Sequence, residues 1–239
     1  SPSRTLCGNA PSNPSIGRPG PFRPLVREGL LLLRWGYEAD PKLFVAMDLD
    51  TRSVRWSIDA TGPADARRKI PLGNPVHSGG CLYLASGWDK ASTRGGYNFR
   101  LTCVSPSGKV HWNADLPVRW QGIHAHDNSF ESVFGDCLTV SDGKIYCSPG
   151  TGFLARFDAR DGKLEWSWEY ESMSRDALQE DVQGNAPLLV GKVVVGLPRD
   201  TNAVVALDKE TGKVLWRSSE LSPRKVLGSR DGILLLQGE

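Results

Sequence analysis

The chain has 239 residues, of which 39% are hydrophobic, and its formal net charge is +2. A chain of this size can bury a substantial core, and its balanced charge argues against nucleic acid as a partner. No apolar run approaches the length of a membrane span, so the sequence predicts no transmembrane helix.

The predicted elements are short strands. Residues 1–23 are rich in Pro, Gly, Ser and Asn, and we interpret them as a coil or linker. From residue 24 onward, short β-branched runs alternate with Gly, Pro, Asn and Asp, a pattern typical of strands joined by turns. The best helical candidate is the short segment Ser172–Asp181. The strands group into four units of four and a partial fifth, at about 24–59, 73–116, 135–170, 184–219 and 224–239.

One motif recurs near the end of each complete unit. It occupies Ala46–Trp56, Cys103–Trp112, Arg156–Trp166 and Ala206–Trp216, and the tryptophans are 56, 54 and 50 residues apart. A repeat of this size marks an array of supersecondary units, and four-stranded units arranged radially make a β-propeller. A β-sandwich built from hairpins is the alternative, but it gives no reason for one motif to recur at one place in every unit.

The motif resembles the tryptophan-docking motif of pyrroloquinoline-quinone-like (PQQ-like) repeats, and the resemblance covers about residues 24–239. Unit four, Ala206-Leu-Asp-Lys-Glu-Thr-Gly-Lys-Val-Leu-Trp216, fits it fully. Arg52 replaces the glycine in unit one, Ser105 the aspartate in unit two, and Arg156 the alanine in unit three. The resemblance implies an all-β propeller of four-stranded antiparallel blades, with about four and a half present, as in an incomplete or fragmentary propeller. It also implies a structural role, docking against the adjacent blade, for Trp56, Trp112, Trp166 and Trp216.

The function that the resemblance implies is of two kinds. The family includes quinoprotein dehydrogenases, which need a bound quinone and a metal ion, and non-enzymatic propellers. The adjacent Cys-Cys pair that the dehydrogenase pattern implies does not occur in this chain. We therefore expect a non-catalytic binding or scaffold module of a larger extracytoplasmic protein, periplasmic or secreted, without a cofactor. The alternative is part of a PQQ-dependent quinoprotein oxidoreductase that binds PQQ with Ca²⁺.

The predicted loops differ between the two rims of the array. Strands of a meander alternate in direction, so the first and third turns of each unit share one rim, which we call the tight-turn rim. The longer connections, 36–42, 60–73, 87–98, 117–134 and 170–184, share the other, the long-loop rim. Insertions gathered on one face often mark the binding face, so we predict a protein or small-molecule partner there. The candidate binding residues are Trp88, Asp89, Arg94, Trp120, His124, His126, Asp127, Arg199 and Asp200.

Two further groups of side chains have the chemistry of a metal site and of a disulfide. His124, His126 and Asp127 have the side chains of metal ligands. Solvated histidines in a polar loop need no metal, however, and we expect none. Cys137 and Cys147 flank the predicted Ser141–Lys144 turn. The sequence leaves open whether they form a disulfide or remain buried thiols.

Overall fold

The computed structural model describes residues 24–34, 42–59, 70–89, 96–119, 136–171, 185–198, 200–201, 203–220 and 223–238. Every regular element in these ranges is a β-strand. In chain order the strands are Leu25–Arg27 (β1), Leu30–Arg34 (β2), Lys42–Asp48 (β3), Val54–Asp59 (β4), Ile70–Pro71 (β5), Val76–Ser78 (β6), Cys81–Asp89 (β7), Gly96–Val104 (β8), Val110–Arg119 (β9), Leu138–Ser141 (β10), Lys144–Cys147 (β11), Phe153–Asp158 (β12), Leu164–Glu169 (β13), Leu188–Val190 (β14), Val193–Gly196 (β15), Val204–Asp208 (β16), Val214–Ser218 (β17), Lys225–Arg230 (β18) and Ile233–Gln237 (β19).

These strands form five antiparallel sheets, which we number as blades. Blades 1, 3 and 4 are meanders of β1–β4, β10–β13 and β14–β17. In blade 2 the long strand β7 pairs with both β5 and β6 on one side, and β8 and β9 follow on the other. Blade 5 consists of β18 and β19 in the described part of the chain. The architecture is therefore that of a β-propeller, in which repeated four-stranded sheets pack against one another.

The first turn of most blades is a two-residue hairpin that needs positive backbone φ angles. Asp142 and Gly143 have φ of 52° and 68°, and Asp231 and Gly232 have φ of 52° and 78°. These values fit the type I′ turn, whose twist matches that of the flanking strands. Asp and Gly tolerate this conformation better than other residues do, which is why the turn sequences predicted these hairpins.

The third turn of each blade carries the recurring motif. In blade 4 the Asp208 carboxylate accepts hydrogen bonds from the Glu210 and Thr211 amides at 3.1 and 2.8 Å. Its hydrogen bonds with Thr211 hold the pKa of Asp208 below its usual range. The Gly212 amide then donates to the Asp208 carbonyl at 2.9 Å, with Gly212 at φ 69°. In blade 1 the turn is the same, although Arg52 stands at the glycine position with φ 57° and donates to the Asp48 carbonyl at 2.8 Å.

The core lies between blades, as one cluster of buried residues at each interface between neighbouring blades. Leu32 and Phe44 of blade 1 pack against Leu82 and Leu84 of blade 2. Blades 2 and 3 share the largest cluster, where the rings of Phe99 and Phe153 meet edge to face at 5.2 Å. Further clusters join blade 3 to blade 4 and blade 4 to blade 5. Each blade thus buries side chains against its neighbour, as in repeat proteins stabilised by nearest-neighbour contacts.

Blade 2 departs from the sequence prediction. The loop predicted at 87–98 is wrong at both ends, because β7 runs to Asp89 and β8 begins at Gly96. Asp89 pairs with Tyr97 and Trp88 with Asn98, so the ladder extends toward the long-loop rim. The helical candidate Ser172–Asp181 lies outside the described residues.

Candidate functional site: the long-loop rim

Six of the nine predicted binding residues lie outside the described residues. They are Arg94, Trp120, His124, His126, Asp127 and Arg199. Their proposed role in binding, and that of His124, His126 and Asp127 as metal ligands, stays a prediction. Among the described residues, no three His, Cys, Asp or Glu side chains come together as a metal-binding group.

Trp88 and Asp89 end strand β7 at the long-loop rim. The indole of Trp88 is buried, with 4% of its surface exposed. The guanidinium carbon of Arg100 lies 5.1 Å from the centre of that ring, within the range of a cation–π contact. Two hydrogen bonds of 2.6 Å to Asp115 fix the guanidinium and raise the pKa of Arg100. Trp88 is thus held in the sheet beneath an ion pair.

Asp200 is buried between blades 3 and 4, with 3% of its surface exposed. Its Oδ2 accepts a hydrogen bond from the Gly152 amide at 2.8 Å, and its Oδ1 accepts one from the Tyr170 hydroxyl at 2.6 Å. Gly152 and Tyr170 belong to blade 3, whereas Asp200 belongs to blade 4. Burial raises the pKa of Asp200 to about 6. Burial and the neighbouring Asp200 also raise the pKa of Tyr170. This carboxyl group therefore joins two blades.

A second polar link joins blades 2 and 3 just before strands β6 and β10. The Asn74 amide nitrogen donates to Asp136 Oδ1 at 2.7 Å, and Asn74 is buried. The sequence analysis did not select either residue. The signal that would have found them is a recurring Gly-Asn or Gly-Asp pair before the first strand of the unit: Gly73-Asn74, Gly135-Asp136 and Gly184-Asn185.

The described donors do not fit a quinone with a divalent cation. Both carboxylate oxygens of Asp200 already accept hydrogen bonds within the protein, and the residue is buried between two blades with 3% of its surface exposed. Trp88, whose ring would be a candidate for stacking on a quinone, is buried beside Arg100. We therefore derive no catalytic step through PQQ.

The motif tryptophans make a repeated contact on the tight-turn side. The indole nitrogen of Trp56 donates to the Pro106 carbonyl at 2.9 Å, that of Trp112 to the Ala159 carbonyl at 3.2 Å, and that of Trp166 to the Lys209 carbonyl at 3.2 Å. Each acceptor lies in the third turn of the next blade. The rings also cover the turn glycine, since a Cβ added at the glycine would lie 2.6, 2.5 and 2.7 Å from the nearest ring atom at Gly108, Gly162 and Gly212.

Trp216 lies at the corresponding position of blade 4 but is 45% exposed. The reason is structural: the described part of blade 5 has two strands and no third turn that could receive the ring. Its predicted docking role therefore has no counterpart among the described residues.

Arg156, which replaces the motif alanine, makes a contact that the sequence did not predict. Its guanidinium pairs with Glu165 at 2.6 Å in its own blade and with Glu210 at 3.0 Å in blade 4. It also donates to the Lys209 carbonyl, the same oxygen that accepts from Trp166. These carboxylates raise the pKa of Arg156 against the opposing effect of burial.

Cys137 and Cys147 are both free and buried. Cys147 lies opposite Leu138 in the ladder, so the two cysteines are not a directly facing pair. Burial raises the pKa of Cys147 well above its usual value, which disfavours the reactive thiolate.

Comparison with known families now identifies the repeat. A family model described as outer membrane protein assembly factor BamB matches residues 40–229. The chain belongs to this family of PQQ-like repeats. The curated relatives include the 1-butanol dehydrogenase (quinone) of Thauera butanivorans, 37% identical over 82 residues, which cover 34% of this chain and 13% of the dehydrogenase. They also include the dehydrogenase subunit of the alcohol dehydrogenase (quinone) of Gluconobacter oxydans, 29% identical over 158 residues, which cover 61% of this chain and 18% of that protein.

Two solved structures share the fold of this chain. The crystal structure of BamB from Moraxella catarrhalis matches at a TM-score of 0.51 and 15% identity, over 82% of this chain and 47% of that one. A europium-containing methanol dehydrogenase matches at a TM-score of 0.54 and 13% identity, over 88% of this chain and 43% of that one. These likenesses establish the propeller fold. The chain spans less than a fifth of each curated dehydrogenase and less than half of either solved structure.

Proposed function

We propose that this family member is a non-catalytic binding or scaffold module of a larger extracytoplasmic protein, and that a protein partner binds its long-loop rim. The observation that carries the proposal is the difference between the two rims. On one rim the strands are joined by turns as short as Asp142-Gly143, while the connections on the other span 90–95, 120–137 and 170–187 between the flanking strands. Loops on a rigid scaffold are the usual carriers of binding function.

The polar contacts of the described rim give the proposed binding surface a rigid base. Asp200 and the Asn74–Asp136 pair link neighbouring blades, and Trp88 is covered by Arg100. Such contacts hold the ends of the blades together as a platform beneath the loops. The family description, an outer membrane assembly factor, supports an extracytoplasmic location. No helix among the described residues is long and apolar enough to cross a membrane.

The test is affinity capture with variants of each rim. The tagged chain is mixed with cell-envelope extract from the organism that encodes it, and bound proteins are quantified by mass spectrometry. Because Trp and Arg dominate binding energies at interfaces, we expect Arg94→Ala with Trp120→Ala to lower capture of a specific partner by at least about tenfold. The matched control, Lys109→Ala with Lys163→Ala, removes two exposed side chains of the tight-turn rim. Equal loss of capture in both variants would refute the proposal.

The second candidate function is part of a PQQ-dependent quinoprotein oxidoreductase, and the two quinone-dependent relatives favour it. The test is titration of the chain with PQQ and Ca²⁺, followed by quinone absorbance and by reduction of an electron-accepting dye with a primary alcohol. We expect no saturable quinone binding and no dye reduction. Stoichiometric quinone binding with turnover would instead establish the oxidoreductase.

A further inference from the structure

Two pairs of free cysteines lie in the core cluster between blades 2 and 3. Cys103, Cys137 and Cys147 are buried in it, and Cys81 packs against it from the side. Cys81 begins β7 and Cys103 lies near the end of β8, so both belong to blade 2, whereas the other two belong to the first hairpin of blade 3. Geometry and exposure distinguish the two pairs.

Cys81 and Cys103 lie on the same face of blade 2. The ladder pairs Tyr83 with Cys103 and Leu82 with Val104. Because side chains alternate along a strand, Cys81 shares the face of Tyr83 and therefore that of Cys103. The two thiols are joined by a side-chain hydrogen bond. They are thus diagonal neighbours on adjacent strands, and their sulfur atoms meet.

The backbone at Cys81 has room for the small adjustment that a disulfide needs. Disulfides bridge Cα atoms up to about 7 Å apart, and diagonal neighbours in a sheet lie about 7–8 Å apart. Cys81 lies one residue beyond the last pair of the β7–β8 ladder, which is Leu82 with Val104. The preceding turn glycines, Gly79 and Gly80, have no atom within 4 Å of a Cβ built on them. This turn can therefore shift with Cys81 toward the neighbouring strand.

The two thiols differ in their access to reagents. Cys103 is 1% exposed, and burial raises its pKa to about 12, so its thiolate is scarce. A pair whose thiolate is not stabilised also favours the disulfide over the dithiol. Cys81 is only partly buried, and an outside disulfide therefore reaches it first. In blade 3, Cys137 is 3% exposed and Cys147 is fully buried, so that pair lacks such an entry point.

We propose that Cys81 and Cys103 are a disulfide-forming site, oxidised by exchange with a small disulfide such as oxidised glutathione. Cys81 loses its proton to solvent and its thiolate attacks one glutathione sulfur, which breaks that disulfide and releases one glutathione thiolate. Cys103 then loses its proton and attacks the Cys81 sulfur of the mixed disulfide, which releases the second glutathione thiolate. The two glutathione thiolates take up two protons, so the cysteine pair is oxidised by two electrons and glutathione disulfide is reduced by two.

The bond closes the base of a hairpin that reaches the long-loop rim. β7 and β8 run from the two cysteines toward Asp89 and Gly96, and residues 90–95 connect them at that rim. A covalent link at the other end of the hairpin restricts the unfolded chain and holds the two strands in register. The bond itself does not depend on the proposed function, although the extracytoplasmic location in that proposal is where disulfides persist.

The test is disulfide mapping of the whole chain carrying Cys7→Ser, which removes the fifth cysteine. The folded protein is incubated with oxidised glutathione or with a dithiol reductant, then unfolded in acid, and the remaining thiols are alkylated. Trypsin cleaves after Lys90 and Arg100, so Cys81 and Cys103 fall in different peptides. We expect most oxidised chains to lose two hydrogen atoms in mass and to yield a peptide that links these two cysteines. Cys137 and Cys147 should be recovered alkylated.

Two single variants and one matched control separate the steps. Cys103→Ser should stop at the glutathione adduct of Cys81, and Cys81→Ser should take up no glutathione at Cys103. The control, Cys137→Ser with Cys147→Ser, should still form the link in blade 2. The proposal is overturned if all four cysteines are recovered alkylated after oxidation or if the linked peptide joins Cys137 to Cys147. It is equally overturned if Cys81 retains glutathione while Cys103 is present.

Discussion

The tryptophan at the end of the motif lies in two different environments in this molecule. Trp166 is buried against the next blade, and Trp216 is half exposed. Trp166→Ala should destabilise the chain by about 3–5 kcal/mol, because truncating a buried Trp leaves a cavity. Trp216→Ala should cost less than half as much. Urea denaturation followed by circular dichroism measures both, and equal losses would contradict the contact seen at Trp166.

Asp200 should make the stability of the chain depend on pH. Its pKa is raised by burial from 3.8 to about 6 in the folded state. A raised pKa means that the folded state favours the protonated form. The associated stability is therefore fully present below about pH 4 and is lost as the pH rises through about 6. Two pKa units correspond to about 3 kcal/mol.

Asp200→Asn tests this dependence, because asparagine imitates the protonated carboxyl group. Its carbonyl oxygen can still accept from the Gly152 amide, and its amide can donate to the Tyr170 oxygen. The variant should match wild type near pH 4, exceed it above pH 6, and vary less between these values. The exposed control Asp50→Asn should follow the wild-type profile. The measurement is the urea midpoint of each variant from pH 4 to 8. An Asp200→Asn profile parallel to that of wild type would show that Asp200 does not cause the pH dependence of stability.

At the scale of elements, the glycine of the third turn adopts a positive φ and also leaves room for the docked tryptophan ring. A pair of substitutions separates these two requirements. Gly162 and Gly143 both lie in blade 3 with similar φ, 74° and 68°. A Cβ on Gly162 would lie 2.5 Å from the Trp112 ring, whereas one on Gly143 meets no atom within 4 Å. Gly143→Ala should cost about 1–2 kcal/mol from the left-handed backbone alone. Gly162→Ala should cost clearly more, because the ring must also move.

Thermal unfolding of the two alanine variants measures this difference. A red shift of the tryptophan emission in Gly162→Ala alone would additionally report the displaced ring. If both variants lose the same stability, the ring contact contributes nothing beyond the backbone conformation.

The elements that the sequence predicted best are those with local causes. Hairpins such as Asp142-Gly143 depend on two residues whose backbone preferences are visible in the sequence. The extension of β7 and β8 was missed because Gly87 and Asp89 resemble loop residues, yet their backbones pair across the blade. A ladder of this kind is decided by the partner strand and not by local propensity.

The candidate site was harder to predict because its contacts join residues far apart in the sequence. Pro198-Arg199-Asp200-Thr201 has the composition of an exposed polar turn. Asp200 is nevertheless buried, and Tyr170, 30 residues earlier, donates to it from the neighbouring blade. Arg156 likewise departs from the motif. Its role is seen only in the folded chain, where its guanidinium donates to the Lys209 carbonyl and the Glu210 carboxylate of the next blade.

At the scale of the whole molecule, the array has a direction. Each of the first three blades places its motif tryptophan on the third turn of the blade that follows. Blade 1 carries Arg52 where a preceding tryptophan would need a glycine. Blade 4 carries an exposed Trp216 toward blade 5. The first and last motif turns of the described array are therefore chemically different.

The proposed function places a partner on the long-loop rim, whereas three motif tryptophans contact the next blade at the tight-turn rim. Site-specific photocrosslinking tests this assignment most directly. A photoreactive benzoylphenylalanine replaces Trp120 on the long-loop rim or Lys163, an exposed residue on the tight-turn rim, in the organism that encodes the chain. After irradiation, we predict a discrete crosslinked protein from position 120 and none from position 163. Crosslinking of the same protein from position 163, with none from position 120, would contradict the account.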